Sequence, residues 1–354
     1  MSQSTPPAAA DALPPPILRD VPAPAKINLF LHVVGRRADG YHLLQTVFRF
    51  VGLADTLHFR RRDDGVIRRV TPIPGVPEAT CLTVNAALAL RRATGCRLGV
   101  DIEVEKRIPA GGGLGGGSSD AASVLLALNR LWGTGLGRAE LQRIALPLGA
   151  DVPVFVFGQN AFAEGVGEAL RAVRLAPQWY VVIQPNAHVP TEAAFRAQEL
   201  TRDTNPVKIS DFPGSVARHS SAAGEEKVQD NVVGPRASDG AATQALGLPE
   251  YSFLGSFGKN DLEPVVFSRF PMVALARLVA TQALRRSGGD TRSTVRMSGS
   301  GACLFVECAS EAQALALEAE IAATMRQSNS AKDAIRAVTV CQGLDGHPLQ
   351  HWAA

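Results

Sequence analysis

The sequence has no apolar run near the roughly 20 residues that a membrane span requires, which argues against a membrane partner. Its five cysteines form no C-x-x-C pair, so neither a disulfide frame nor a zinc site is indicated, and no metal-ligating set is assigned. They read as the reduced thiols of a cytoplasmic protein. Excess positive charge is scarce as well. The formal net charge is +3, and no dense Lys/Arg run is interleaved with aromatics, which removes the usual footprint of a nucleic-acid binder. Arg60-Arg61-Arg62 reads as a solvated loop edge. Residues 1–20 lack a charged start followed by an apolar stretch, so no secretory signal is expected there, and their Pro/Ala-rich composition predicts a disordered tail.

Glycine is the opposite case. Pro109-Ala110-Gly111-Gly112-Gly113-Leu114-Gly115-Gly116-Gly117-Ser118-Ser119-Asp120 packs six glycines into seven positions. Glycine gives up side-chain packing and loses the most backbone entropy on folding, so such a stretch exists where bare backbone is needed. Ala121, Val124, Leu125 and Leu128 follow at helical spacing, with Ser118 or Ser119 available as N-cap. A glycine loop entering a helix N-terminus is an anion site, because free N–H groups and the positive end of the helix dipole converge there. A flexible linker need not run straight into a capped amphipathic helix. Gly111, Gly113 and Gly116 match G-x-G-x-x-G, but residues 138–148 read as a second helix where a dinucleotide unit needs a strand. The ATPase phosphate loop would need lysine at position 117, which is Gly117. A phosphate cradle of a third kind remains.

Around this loop, residues 25–34 predict a first strand with Ile27, Leu29, Leu31 and Val33 on one face and Lys26, Asn28, Phe30 and His32 on the other. Lys26 reads either as a solvated edge residue or, beside Asn28, as part of a site. An Asp39-Gly40 corner leads through Tyr41 and His42 into a second strand at 43–51, a hairpin pattern. A helix at 82–93 and a strand at 100–104 deliver the chain to the glycine loop. Asp151 is the lone charge between a helix end and an apolar stretch at 152–157 read as a strand; it either caps a turn or does chemistry. Residues 162–168 form a Gly-containing turn. Residues 179–184 open a second half, with Thr191 as cap of a following helix. Residues 204–249 have no periodicity and read as a long mobile insertion. Helices at 272–285 and 310–326, two strands within 295–306 joined by a glycine-serine loop, and a strand at 337–340 complete an α+β pattern.

Lys26, Asp151, the glycine loop, the Arg37-Ala38-Asp39-Gly40-Tyr41-His42 turn and Ser298-Gly299-Ser300-Gly301 together resemble the GHMP small-molecule kinases. That resemblance, spanning about 21–200 and 250–342, implies a two-lobed α+β fold with the active site in the cleft between lobes at 21–172 and 173–354. It implies ATP and Mg²⁺ as cofactors, with the ion held largely through nucleotide phosphates and water. Lys26 and Asp151 match the catalytic pair, and residues 109–119 the ATP-phosphate loop. Tyr41, His42 and Phe195 fall where relatives grip a cytosine, and Asn28, Val166 and Thr191 are assigned to the same substrate. The implied acceptor is a small molecule, a cytidine-diphosphate-linked sugar alcohol phosphorylated at its 2-hydroxyl for isoprenoid synthesis, acted on by a monomer or weak homodimer. Where the family often has Asn-Leu near adenine, this chain has Cys81-Leu82. A kinase of homoserine or mevalonate type, or a nucleotide-binding module without catalysis, remain the alternatives.

Overall fold

β1 (Ile17–Arg36) and β2 (His42–Arg62) are the two longest strands, paired antiparallel from Ile17 opposite Arg60 to Arg36 opposite His42. Gly40 turns the corner between them at φ +93°, in the left-handed region glycine tolerates. The far edge of β2 is shared between two partners. β4 (Gly99–Glu105) pairs with its second half and β5 (Ala161–Glu164) with its first, and β3 (Ile67–Arg69) and β6 (Ala169–Ala172) extend the two ends. The computed structural model describes residues 16–214, 249–253, 257–288, 290 and 292–353.

Helices α1 (Leu82–Thr94), α2 (Gly116–Leu131), α3 (Arg138–Ala145) and α4 (Val152–Phe157) cover one face of this sheet, burying Phe48, Phe50, Leu57, Phe59 and Ile102 against Leu125, Leu128 and Phe155. The other face carries Ile27, Leu29, Phe30 and Val47 and meets a second sheet. In chain order the second half adds β7 (Arg174–Leu175), β8 (Trp179–Pro185), α5 (Thr191–Phe195), β9 (Glu250–Tyr251), α6 (Glu263–Arg269), α7 (Pro271–Arg286), β10 (Val295–Met297), β11 (Leu304–Cys308), α8 (Glu311–Gln327), α9 (Asn329–Ala334) and β12 (Ile335–Gln342). Strands order as β10-β11-β8-β12, all antiparallel, while β7 and β9 form a separate parallel pair. Tyr180, Val182 and Phe305 face the first sheet, and Val181, Ile183 and Val306 face α7 and α8. The layers therefore run helix, sheet, sheet, helix, an α+β architecture.

Several expectations need correction. The alternation in β1 breaks because the register slips between Asn28 and Leu31; Phe30 joins Ile27 and Leu29 toward the second sheet, and Leu31 and Val33 pack in a different cluster. Residues 17–20, expected to fall in the tail, belong to β1. Ile17 and Leu18 pair with Arg60 and Phe59, Leu18 packs on the first core, and residues 1–15 lie outside the described residues. Residues 152–157 are a helix and not a strand. A fully buried apolar run has no period to choose between the two; Pro153 in the first turn and Gly158 at φ +79° after the last decide it. Of the insertion, residues 204–214 are built into the fold, with a 3₁₀ turn at Ile209–Asp211 and Phe212 buried against Phe30, Phe162 and Phe253; residues 215–248 lie outside the described residues.

Candidate active site

The glycine loop enters α2 through Gly115, which is the N-cap at φ +71° and supplies no side-chain cap. The serines are not the cap. Ser119 lies inside the helix with its hydroxyl donating to the Pro24 carbonyl at 2.7 Å, and Ser118 faces a cavity. A 16-residue helix thus presents first-turn N–H groups with no intrahelical partner toward open space. The glycines answer a second demand that composition could not reveal. A Cβ on Gly113 would lie 2.1 Å from the Ser298 carbonyl oxygen, and one on Gly112 2.5 Å from Cys303 Sγ. Ser298 Oγ donates to Gly113 O at 3.0 Å and Cys303 N to Gly112 O at 3.1 Å. The two glycine loops, one from each half of the chain, are bonded into a single wall.

β1 runs past this wall. Lys26 N donates to Leu114 O at 3.0 Å, which fixes the strand beside the loop. The Lys26 ammonium lies 3.3 Å from Asp151 Oδ2 and donates to Asn28 Oδ1 at 2.6 Å. Asn28 Nδ2 donates to Thr46 Oγ1 at 2.9 Å, and Thr46 donates on to Phe30 O at 2.5 Å. This chain of bonds settles which way the Asn28 amide points: its oxygen must face the lysine. Lys26 is 3% exposed, whereas the Asp151 side chain is 37% exposed. The cation is buried behind, and the carboxylate stands in front where a hydroxyl can reach it. Asp151 is the N-cap residue of α4, yet its side chain makes no cap bond.

A cavity of about 630 Å³ joins these parts. Lys26, Asn28, Asp151, Val166, Thr191, Phe195, Ser300 and the loop residues 109–113 and 115–118 line it, as do Thr80, Cys81, Leu82 and Ile108. Leu114 and Ser119 are buried and do not line it. Thr191 is not the cap expected of it, because the N-cap of α5 is Pro190; its hydroxyl bonds Ser300 Oγ at 2.8 Å, across to the second glycine loop. Tyr41 is 65% exposed and stands outside the cavity lining. His42 packs on Phe195 with ring centroids 5.2 Å apart, also outside the lining. Burial, then the neighbouring Arg202 and Arg36 cations, lower the His42 pKa. Its Nε2 accepts from Arg202 Nε at 3.1 Å, so the neutral ring carries its proton on Nδ1.

Sequence reading missed one cluster. Lys106 Nζ donates to Asp120 Oδ2 at 2.7 Å and also to Asp55 Oδ2; Asp55 Oδ1 accepts the backbone N–H groups of Arg107 and Ile108 at 2.5 and 2.8 Å. The cluster ties the strand end before the glycine loop to the helix after it. Lys106 and Asp120 line the cavity. Asp120 stood in the glycine motif with no role; Asp55, 65 residues upstream by numbering, gave no local signal.

Residues 82–159 match the N-terminal domain of the GHMP kinases. A 4-diphosphocytidyl-2-C-methyl-D-erythritol kinase of Bordetella bronchiseptica is 52% identical over 342 residues, 95% of this chain and 99% of that protein. A crystal structure of 4-(cytidine 5'-diphospho)-2C-methyl-D-erythritol kinase is similar at TM-score 0.60 and 33% identity, covering 92% of this chain and 98% of the other. Homoserine kinase from Cytophaga hutchinsonii, at TM-score 0.54 and 14% identity over 97% of this chain and 98% of its own, shares the fold alone.

Proposed function

The chain belongs to the 4-diphosphocytidyl-2-C-methyl-D-erythritol kinases of the GHMP family, and from that membership we propose how its residues carry out the reaction. It is an ATP-dependent phosphotransferase that phosphorylates the 2-hydroxyl of 4-diphosphocytidyl-2-C-methyl-D-erythritol, a step in isoprenoid precursor synthesis. The two lobes divide near residue 172, with residues 17–20 built into the first and the returning segment 343–353 packed on it as well. The ATP phosphates lie against the glycine loop and the uncapped N-terminus of α2, which supplies oriented N–H donors without reorganisation. Asp151 accepts the proton of the acceptor hydroxyl as the hydroxyl oxygen attacks the γ-phosphorus and the bond from that phosphorus to the bridging oxygen breaks, releasing ADP. Lys26, 3.3 Å from Asp151, orients that carboxylate and offsets charge on the transferring group.

Among the described residues no three His, Cys, Asp or Glu side chains gather as a metal cage. Mg²⁺ would arrive on the nucleotide, with phosphates and water filling most of its coordination sphere. When bound it neutralises phosphate charge. Asn28, Val166, Thr191 and Phe195, all in the cavity lining, are assigned to the acceptor, with His42 packed on Phe195 outside that lining. The enzyme works in the cytoplasm as a monomer or weak dimer, in keeping with its soluble substrates.

The observation that carries this reading is the Lys26–Asp151 pair at 3.3 Å in the same cavity as an uncapped helix end. Purified protein incubated with ATP-Mg²⁺ and the diphosphocytidyl sugar alcohol is expected to yield ADP and one phosphorylated product, with homoserine and mevalonate left unchanged. Turnover of either of those two in place of the cytidyl substrate would reject the acceptor assignment.

A further inference from the structure

Helix α4 carries Asp151 at its front end, and its back end is held by an unusual partner. Arg138, the first residue of α3, donates from Nη1 to the carbonyls of Val156 at 2.7 Å and Phe157 at 3.1 Å, the last turn of α4. From Nη2 it donates to the carbonyls of Gln350 and Ala353, the latter at 2.8 Å. All four acceptors are backbone oxygens. A cation at a helix C-terminus meets the negative end of the dipole and satisfies carbonyls the helix leaves open. Burial lowers the Arg138 pKa, and a guanidinium remains charged regardless.

The segment 343–353 that supplies two of those carbonyls leaves the second sheet after β12 and crosses onto the first half of the chain. Leu344 N donates to Phe50 O at 2.8 Å, Asn160 Nδ2 donates to Leu344 O at 2.8 Å, and His347 N donates to Gly158 O at 2.9 Å. The His347 ring is fully buried edge-on to Phe50 and Phe155. Trp352 lies under Arg130 of α2 at 4.7 Å. On its other side Phe155 abuts the glycine loop so closely that a Cβ on Gly115 would sit 2.9 Å from its ring. The segment, α4 and the phosphate loop are therefore stacked in that order.

We infer that residues 343–353 form a strap that seats α4, and that Arg138 is the positioning residue through which the strap fixes where Asp151 meets the acceptor hydroxyl. This rests on the assignment of Asp151 as the proton acceptor. Six residues make too short a helix to hold its own geometry in isolation. Its position comes from what grips its far end, and a displacement of about 1 Å at a reacting group costs on the order of 10²-fold in rate.

The test separates kcat from nucleotide binding. Arg138→Ala is expected to lower kcat by roughly 10- to 100-fold while affinity for a fluorescent ATP analogue stays at the parental value. Arg138→Lys, which keeps the charge but loses the fork, should fall between the two. A chain ending at Leu349 keeps Arg138 and its α4 contacts but loses the Gln350 and Ala353 carbonyls and Trp352; it is measured in the same way in case Arg138→Ala does not fold. Parental kcat in either the folded Arg138→Ala variant or the shortened chain overturns the inference. Nucleotide affinity falling in step with kcat overturns it too, since that marks general loss of structure. Asp151→Asn run alongside distinguishes the two claims. If it transfers phosphate at the parental rate, the base assignment fails; if it is slow while the strap variants are not, only the strap assignment fails.

Discussion

Asp120 shows how one side chain can link a binding loop to pH. Burial raises its pKa to about 7, the Asp55 carboxylate adds to the rise, and Lys106 opposes both. The folded chain keeps the carboxyl proton where the unfolded chain, at the ordinary value of 3.8, has lost it. By linkage the contribution to stability is complete below the unfolded value and drains away as pH rises toward about 7. Asp120→Asn removes this titration, so its melting temperature should fall less than the parent's between pH 5 and 7.5. Parallel melting curves for the two proteins across that range would contradict the assignment. His347 works in the other direction: burial, with Arg138 nearby, lowers it to about 3, so the proton taken up by the unfolded chain destabilises the fold as pH drops below the ordinary 6.5.

At the scale of elements, the two glycine loops explain each other. The first loop needs bare backbone partly for an anion and partly because the second loop lies on it. Gly113→Ala is the sharpest probe, since φ is +72° and the new methyl would be driven into the Ser298 carbonyl at 2.1 Å. It is expected to destabilise the protein by a few kcal/mol and to weaken ATP binding, read by chemical denaturation and equilibrium titration; parental values in both would mean that the loops are not packed as described. Much of this was legible beforehand. The loop-to-helix junction, the hairpin and the Lys26–Asn28 register follow from local patterns of one residue in two or one in three to four. The rest was hidden for identifiable reasons. The bulge after Asn28 is a one-residue slip with no composition of its own. Helix α4 is apolar on every side, so no periodicity could reveal it. The serine cap failed because Ser119 Oγ is committed to Pro24, a contact across 95 residues.

At the scale of the whole molecule, two sheets share a buried middle layer, and the cavity is lined by β1 and β2 of the first sheet together with α5 and the loop between β10 and β11 from the second half. The strap at 343–353 runs back over the first half, so the chain's last described residues brace the helix that carries its reacting carboxylate. No sequence pattern marks such a long-range return; Gly343 and Gly346 hint only that backbone passes closely. The reaction proposed for the cleft depends on Asp151 facing a hydroxyl with Lys26 behind it. Single-turnover transfer from ATP to 4-diphosphocytidyl-2-C-methyl-D-erythritol, by parent and Asp151→Asn at matched nucleotide occupancy, measures that dependence directly. The variant should bind ATP as the parent does and transfer phosphate about 10²-fold more slowly or worse; equal transfer rates in the two proteins would contradict the assignment.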